Sequence, residues 1–219
     1  MLKQRLEAVE ERIDAACRRS GRKRSDITLV AVTKIFPASV LKEAYEIGLR
    51  DFGENYVQEF AGKAPELGPM PDARFHLIGH LQSNKAKLAS ELFQVIETVD
   101  SAKLAKRLDA TGALLDVMIE VKLSPEESKA GADPEIVSSV IDAIGECRNL
   151  RLTGLMTMPP WSDDAELSRP YFRKLREIGD RVGLPQLSMG MSHDLEVAIE
   201  EGATHVRVGT ALFGKRRKP

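Results

Sequence analysis

The chain has little that would tie it to a membrane, a nucleic acid or an oxidising compartment. Cysteine is scarce: Cys17 and Cys147 lie far apart, in neither a metal nor a redox spacing. They read as free thiols on helices, which excludes a disulfide scaffold and fits a reducing cytoplasm. No apolar run approaches the ~20 residues that span a bilayer. Met1-Leu2-Lys3-Gln4-Arg5 carries charge where a signal peptide needs an apolar stretch. An excess of either sign is missing too, with 32 basic and 33 acidic residues and a net charge of −1. No global field therefore favours nucleic acid or a membrane surface. The basic cluster Lys215-Arg216-Arg217-Lys218 lacks aromatic or further basic support and reads as a solvated tail. Linkers rich in Pro, Gly or Ser are absent, so residues 1–219 are expected to form one domain. At 42% hydrophobic, such a chain can bury one sizeable core.

What is present is a regular alternation of strand and helix. Leu2, Leu6, Val9, Ile13 and Ala16 form one stripe of a helix over Leu2–Arg19, stopped by Gly21. Strands follow at Ile27–Thr33, Asp51–Gly53, Arg74–Ile78, Gln94–Val99, Leu115–Val121, Leu152–Met156, Gln186–Ser188 and His205–Val208. Helices are expected between them, with Pro37 opening one, Asn55 capping the next, and others at Gln82–Leu92, Ser101–Leu108, Pro134–Cys147, Asp164–Val182 and Ser192–Glu201. A short helix, Thr210–Phe213, ends the series. Near-continuous apolar strands with helices between them imply a parallel sheet covered on both faces. Eight such units predict a single (β/α)8 barrel of the TIM type with an extra N-terminal helix.

In that barrel Lys34 ends the first strand, at the mouth where active sites form. A partly buried lysine amine is suited to attack aldehydes. Two late segments, Ser188-Met189-Gly190-Met191-Ser192 and Arg207-Val208-Gly209-Thr210, have the chemistry of a phosphate site. Gly190 and Gly209 let backbone approach an anion, and Ser192 and Thr210 add hydroxyls at expected helix starts. Turn glycines and capping residues would account for either segment alone; the pair, in this order in a barrel, favours phosphate. An aldehyde-seeking amine facing a phosphate clamp suggests pyridoxal 5′-phosphate (PLP) held as a Schiff base. Arg207 alternates with Val206 and Val208 in an apolar strand and needs a buried acceptor. A pyridine nitrogen and a carboxylate such as Glu120 both qualify.

Several motifs carry a resemblance. They are Ala31-Val32-Thr33-Lys34, Phe52-Gly53-Glu54-Asn55-Tyr56-Val57-Gln58-Glu59, and Phe75-His76-Leu77-Ile78-Gly79-His80-Leu81-Gln82-Ser83-Asn84-Lys85. Glu127-Ser128-Lys129-Ala130-Gly131, Gly154-Leu155-Met156-Thr157-Met158, and the two segments around Ser192 and Gly209 continue the series along nearly the whole chain. Together they resemble the PLP homeostasis protein family, related to the barrel domain of alanine racemase, a fold-type III PLP protein. The resemblance implies a Schiff base on Lys34, phosphate held by Ser192, Gly209 and Thr210, and Arg207 facing the pyridine nitrogen. It places Asn55, His76 and Ser188 around the cofactor; Met156, Met158, Met189 and Met191 read as packing residues at the barrel mouth, with Met189 also within reach of the cofactor. Lys122 stands where Asn is usual and Thr33 where Ser is common. The implied role is balancing intracellular PLP and amino- or keto-acid pools, with PLP-dependent apoenzymes as candidate recipients and a monomer or weak dimer as the assembly.

A racemase is the alternative, and a class I aldolase a third reading. Racemases need two bases, and their second is a tyrosine from an additional C-terminal β domain of a partner subunit, which is not expected in this chain. Tyr45, Tyr56 and Tyr171 are all expected on helices. Arg207 would leave the pyridine unprotonated and so a weak electron sink. The expectation is therefore a PLP binder without strong catalysis. His76 and His80 are not expected to bind metal, because Gly79 interrupts them and a third ligand is missing. His193 is expected in a supporting or solvated role. Lys85 and Lys129 read as surface lysines, the alternative being residues that pass PLP on or take a second copy.

Overall fold

An amphipathic helix, α1 (Leu2–Ser20), opens the chain, with Leu2, Val9, Ile13, Ala16 and Cys17 buried. Gly21 ends it at φ 68°, and the amides of Gly21 and Arg22 return to the Arg18 and Cys17 carbonyls. The structure is a computed structural model that describes residues 1–124, 126 and 130–214. Glu127, Ser128 and Lys129 of one motif, and the basic cluster at 215–218, lie outside the described residues.

Eight strands then alternate with helices. They are β1 (Thr28–Val32), β2 (Asp51–Glu54), β3 (Arg74–Leu77), β4 (Val95–Val99), β5 (Leu115–Glu120), β6 (Leu150–Met156), β7 (Gln186–Met191) and β8 (His205–Val208). Each pairs in parallel with its sequence neighbour, and β8 pairs with β1 to close the barrel. The helices are α2 (Ala38–Glu46), α3 (Val57–Leu67), α4 (Ala86–Leu92), α5 (Ala102–Asp109), α6 (Val137–Gly145), α7 (Arg169–Val182), α8 (Leu195–Glu200) and α9 (Thr210–Phe213). No helix among the described residues is long and apolar enough to cross a membrane.

Strand alternation sorts the core into two layers. Ala31, Phe52, Leu77, Ile96, Val117 and Val206 point outward and pack beneath the helices. The inward face mixes Val30, Val95 and Met118 with charged His76, Glu97, Glu120 and Arg207, all nearly fully buried.

The expected elements recur with local corrections. Several helices open as a 3-10 turn, at Ser83–Lys85, Pro134–Ile136 and Ala165–Ser168, before becoming α-helical. Asn55 does not cap α3; Tyr56 holds the N-cap position and Asn55 turns to the barrel mouth. β7 runs three residues further than its short apolar core suggests. Ser192 then lies in a turn before α8, not in its first turn, because Asp194 closes that turn on Met191. The Asp194 carboxylate accepts from the Met191 amide at 2.7 Å, and the Asp194 amide donates back to the Met191 carbonyl at 3.2 Å.

Glu120 shows what the charged interior costs. Its Oε2 is buried without a hydrogen-bond partner among the described residues. Burial raises its pKa to about 7, with Arg207 pulling it down and Asp100 pushing it up. A folded-state value above the usual 4.5 means the folded protein keeps this proton longer than the unfolded chain. Its contribution to stability is full below 4.5 and is lost as pH rises through about 7. Glu120→Gln removes that loss. Denaturant titration should show the variant gaining roughly 1–3 kcal/mol on wild type between pH 5 and pH 9. A gain that is the same at both pH values would contradict this account.

Candidate functional site

The loops at the C-terminal ends of the strands enclose a cavity of about 490 Å³. Lys34 reaches it from the turn after β1, and Asn55 from the connection after β2. Asn55 comes this close because Gly79 has no side chain: a Cβ there would meet the Asn55 carbonyl oxygen at 2.2 Å. Ser192 enters after β7, Arg207 from β8, and Gly209 and Thr210 from the turn beyond it. Six of the residues singled out in the sequence thus converge on one cavity. Val32, Ile78, Met158, Met191 and Trp161 give it apolar walls. The Trp161 ring packs on His193, with centroids 5.2 Å apart.

One end of the cavity is a ring of hydrogen-bond donors. The Ser192 hydroxyl oxygen accepts from the Gly209 amide at 3.3 Å and the Ala211 amide at 3.2 Å. Two backbone N–H groups therefore converge on a single oxygen, with Thr210 beside them. An anionic oxygen at that point would find the same donors, with Ser192 as an additional one. α8 and α9 are too short for a helix dipole to supply the attraction, so the donors themselves carry it. Helix α1 holds this turn from behind: Arg12 donates to the Ser192 carbonyl at 2.9 Å and grips Glu196 with two bonds, at 2.6 and 2.8 Å.

The floor is a buried hydrogen-bond chain. The Asp51 carboxylate meets His76 Nε2 at 3.0 Å, and His76 Nδ1 meets Glu97 Oε1 at 2.7 Å. The Ser188 hydroxyl donates to Glu97 Oε2 at 2.6 Å and accepts from Arg207 Nη1 at 2.7 Å. Arg207 Nη2 donates to the Thr157 carbonyl at 2.9 Å. Burial alone would lower the His76 pKa, but hydrogen bonds to Asp51 and Glu97 outweigh it and raise the value to about 9. Burial would raise Glu97, yet His76, through hydrogen bond and charge, and Arg207 bring it down to about 2. The chain is thus imidazolium, carboxylate and guanidinium joined through one serine. Burial also lowers the Arg207 pKa, against the charges of Glu97, Asp194 and Glu120.

Three expected contacts do not line the cavity. His76 and Ser188 lie one layer beneath it, in the floor chain, where they fix Arg207. Met189 faces outward into the helix-packed layer, and Met191 takes the place at the cavity wall. The cause is a register shift between Ser188 and Met191 where β7 pairs with β8, which lets residues three apart both face inward. Arg207 donates its hydrogen bonds to Ser188 and Thr157, so Glu120 is not its hydrogen-bonded acceptor.

Sequence reasoning missed Glu97 and Trp161. Glu97 had a signal: a lone carboxylate inside the apolar run Val95-Ile96-Glu97-Thr98-Val99. Trp161, the sole tryptophan, follows Pro159-Pro160, and nothing in its neighbours aims it at the mouth. His80 is exposed, 3.6 Å from Asp100, and no group of metal-binding side chains occurs among the described residues. Tyr45 on α2 donates to Asp72, Tyr56 is exposed, Tyr171 lies on α7, and none of them lines the cavity. Lys85 is half-buried in its 3-10 turn.

Residues 5–217 match the family model described as "Alanine racemase, N-terminal domain". A curated relative from Aquifex aeolicus, named pyridoxal phosphate homeostasis protein, is 45% identical, with 98% of each chain covered. The solved structure of PipY from Synechococcus elongatus PCC7942, with PLP bound, superposes with a TM-score of 0.84 at 39% identity, covering 98% of this chain and 100% of that one. Alanine racemase from Clostridium difficile 630 shares the fold, with a TM-score of 0.74 at 15% identity, and this chain covers 57% of it. A barrel of eight parallel strands, a lysine facing a cradle of amides across its mouth, and near full-length similarity at this level agree: the chain belongs to the pyridoxal phosphate homeostasis protein family, built on the alanine racemase N-terminal barrel.

Proposed function

We propose that this protein binds PLP at the barrel mouth, attaches it covalently through Lys34, and serves intracellular PLP homeostasis rather than turnover of a substrate. The observation that carries the reading is the pairing of Lys34 with the Ser192–Gly209–Ala211 donor ring in one cavity. The residues fit the group chemically. The amine suits its aldehyde, the donor ring suits its phosphate dianion, and the walls of Val32, Ile78, Met158 and Met191 suit a flat ring. The relative solved with PLP bound supports the same reading.

Bound there, the cofactor supplies an aldehyde and a pyridine ring that can accept electron density. The chain's own residues restrain the second property. Arg207 is the residue for the ring nitrogen, and an arginine keeps its proton at all ordinary pH values. Held by Ser188 and Thr157 over the Glu97–His76 pair, it has little freedom to move. Asn55 supports the ring near Lys34. For work on an amino acid, Lys34 offers one base, and the three tyrosines stand away from the cavity. These features suit holding and releasing PLP, with PLP-dependent apoenzymes as recipients, in the cytoplasm. We read residues 1–219 as one domain for this purpose.

Phosphate contacts should dominate affinity, since each charge-assisted hydrogen bond contributes roughly 1.5–3 kcal/mol. Equilibrium dialysis should find pyridoxal binding at least about 10-fold more weakly than PLP, and Ser192→Ala with Thr210→Ala should narrow that gap. Equal affinities for the two would contradict the phosphate assignment. In heavy water, the PLP-loaded protein should exchange the Cα proton of L-alanine slowly and without inversion. Rapid, Lys34-dependent interconversion of L and D forms would show that a second base exists and that the protein is a racemase.

A further inference from the structure

The turn that carries Lys34 is strained and held from one side by a cluster built on a buried lysine. Ile35, next to Lys34, has φ 71°, a left-handed conformation that β-branched residues rarely adopt. Such a conformation persists where the surroundings enforce it. Here the enforcement comes from outside the barrel wall. Lys63, on α3 and 7% exposed, donates from Nζ to the carbonyls of Thr33 and Phe36, both at 3.1 Å. It also meets Glu54 at 2.8 Å and Glu59 at 2.9 Å. Glu59 in turn accepts from the Ile35 amide at 2.6 Å, and Glu54 accepts from the Thr33 hydroxyl at 2.8 Å. Residues 33, 35 and 36 are thus tied to one ammonium and its two carboxylates, leaving Lys34 as the residue directed at the cavity.

We propose that Lys63 is the positioning residue for Lys34, fixing the β1–α2 turn so that the Lys34 amine meets the cofactor's aldehyde. This rests on the reading of Lys34 as the attachment amine. None of Lys63, Glu54 and Glu59 lines the cavity, so the cluster acts through the backbone alone. It also joins that turn to the β2–α3 connection, which carries Asn55. A buried ion pair adds little net stability, because desolvating the charges offsets their attraction. Two buried charges beside a strained turn are explained by what they hold in place.

The test separates attachment from recognition. Pyridoxine 5′-phosphate has the ring and phosphate but an alcohol in place of the aldehyde, so its affinity measures recognition alone. The ratio of PLP to pyridoxine 5′-phosphate affinity then reads the covalent contribution. Lys63→Met should lower that ratio about 10-fold or more, since misplacing a reacting group by ~1 Å is expected to cost that much. Pyridoxine 5′-phosphate affinity should stay within about 3-fold of wild type, because the donor ring is untouched. Lys63→Met with Glu54→Gln removes both buried charges, keeps the protein foldable if the single variant is not, and should show the same fall. An unchanged ratio, or an equal loss for both ligands, in a folded variant overturns the proposal. Lys34→Ala keeps the two readings apart. If it retains the wild-type ratio, Lys34 is not the attachment amine; if it loses the ratio while the Lys63 variants keep it, the positioning role alone fails.

Discussion

A small closed barrel gives a charged side chain no water, so every charge inside it must find its partner across the barrel. That requirement organises this molecule. Arg207, Glu97 and His76 come from β8, β4 and β3, and none could be buried alone without a large desolvation cost. Together they form a continuous chain through Ser188, ended by Asp51 at one side and the Thr157 carbonyl at the other. Breaking any one link would strand a charge, which makes the interior less a hydrophobic filling than a fixed electrostatic floor. Glu120 is the member left partly outside this arrangement, and its raised pKa follows from that.

The floor determines what the mouth can do. With its two terminal nitrogens engaged below, Arg207 presents a constant positive charge to the cavity. Closure of the barrel between β1 and β8 sets Lys34 and the turn after β8 on neighbouring strands. The Lys34 amine and the amides that converge on Ser192 therefore meet at one cavity by topology alone. The same closure brings α1 against α8, where Arg12 grips the Ser192 turn. The extra N-terminal helix is thus part of the support of the Ser192 turn.

Much of this was legible in the sequence. The strand–helix alternation, the barrel and Lys34 follow from apolar runs bounded by turn residues. Gly209 and Thr210 follow from their place after the last strand. What escaped reading is what depends on three-dimensional closure. Lys63 and Glu59 stand four apart on a helix and look like a solvated surface pair, yet the fold buries the lysine against β2. Met189 has the right chemistry, but alternation from the inward-facing Ser188 turns it outward, and the register shift after it brings Met191 to the cavity instead. His76 and Ser188 were expected around the cofactor, but they join the buried hydrogen-bond chain to Arg207 and do not line the cavity. Asn55 looked like a helix cap because asparagine often is one; Gly79 draws it to the mouth instead.

The central claim is that Lys34 holds the cofactor. Borohydride reduction of the PLP-loaded protein, followed by peptide mass mapping, tests it directly. The account predicts one dominant modified peptide, carrying the reduced pyridoxyl group on Lys34. Modification chiefly of Lys85, Lys122 or another lysine, with Lys34 unlabelled, would contradict it.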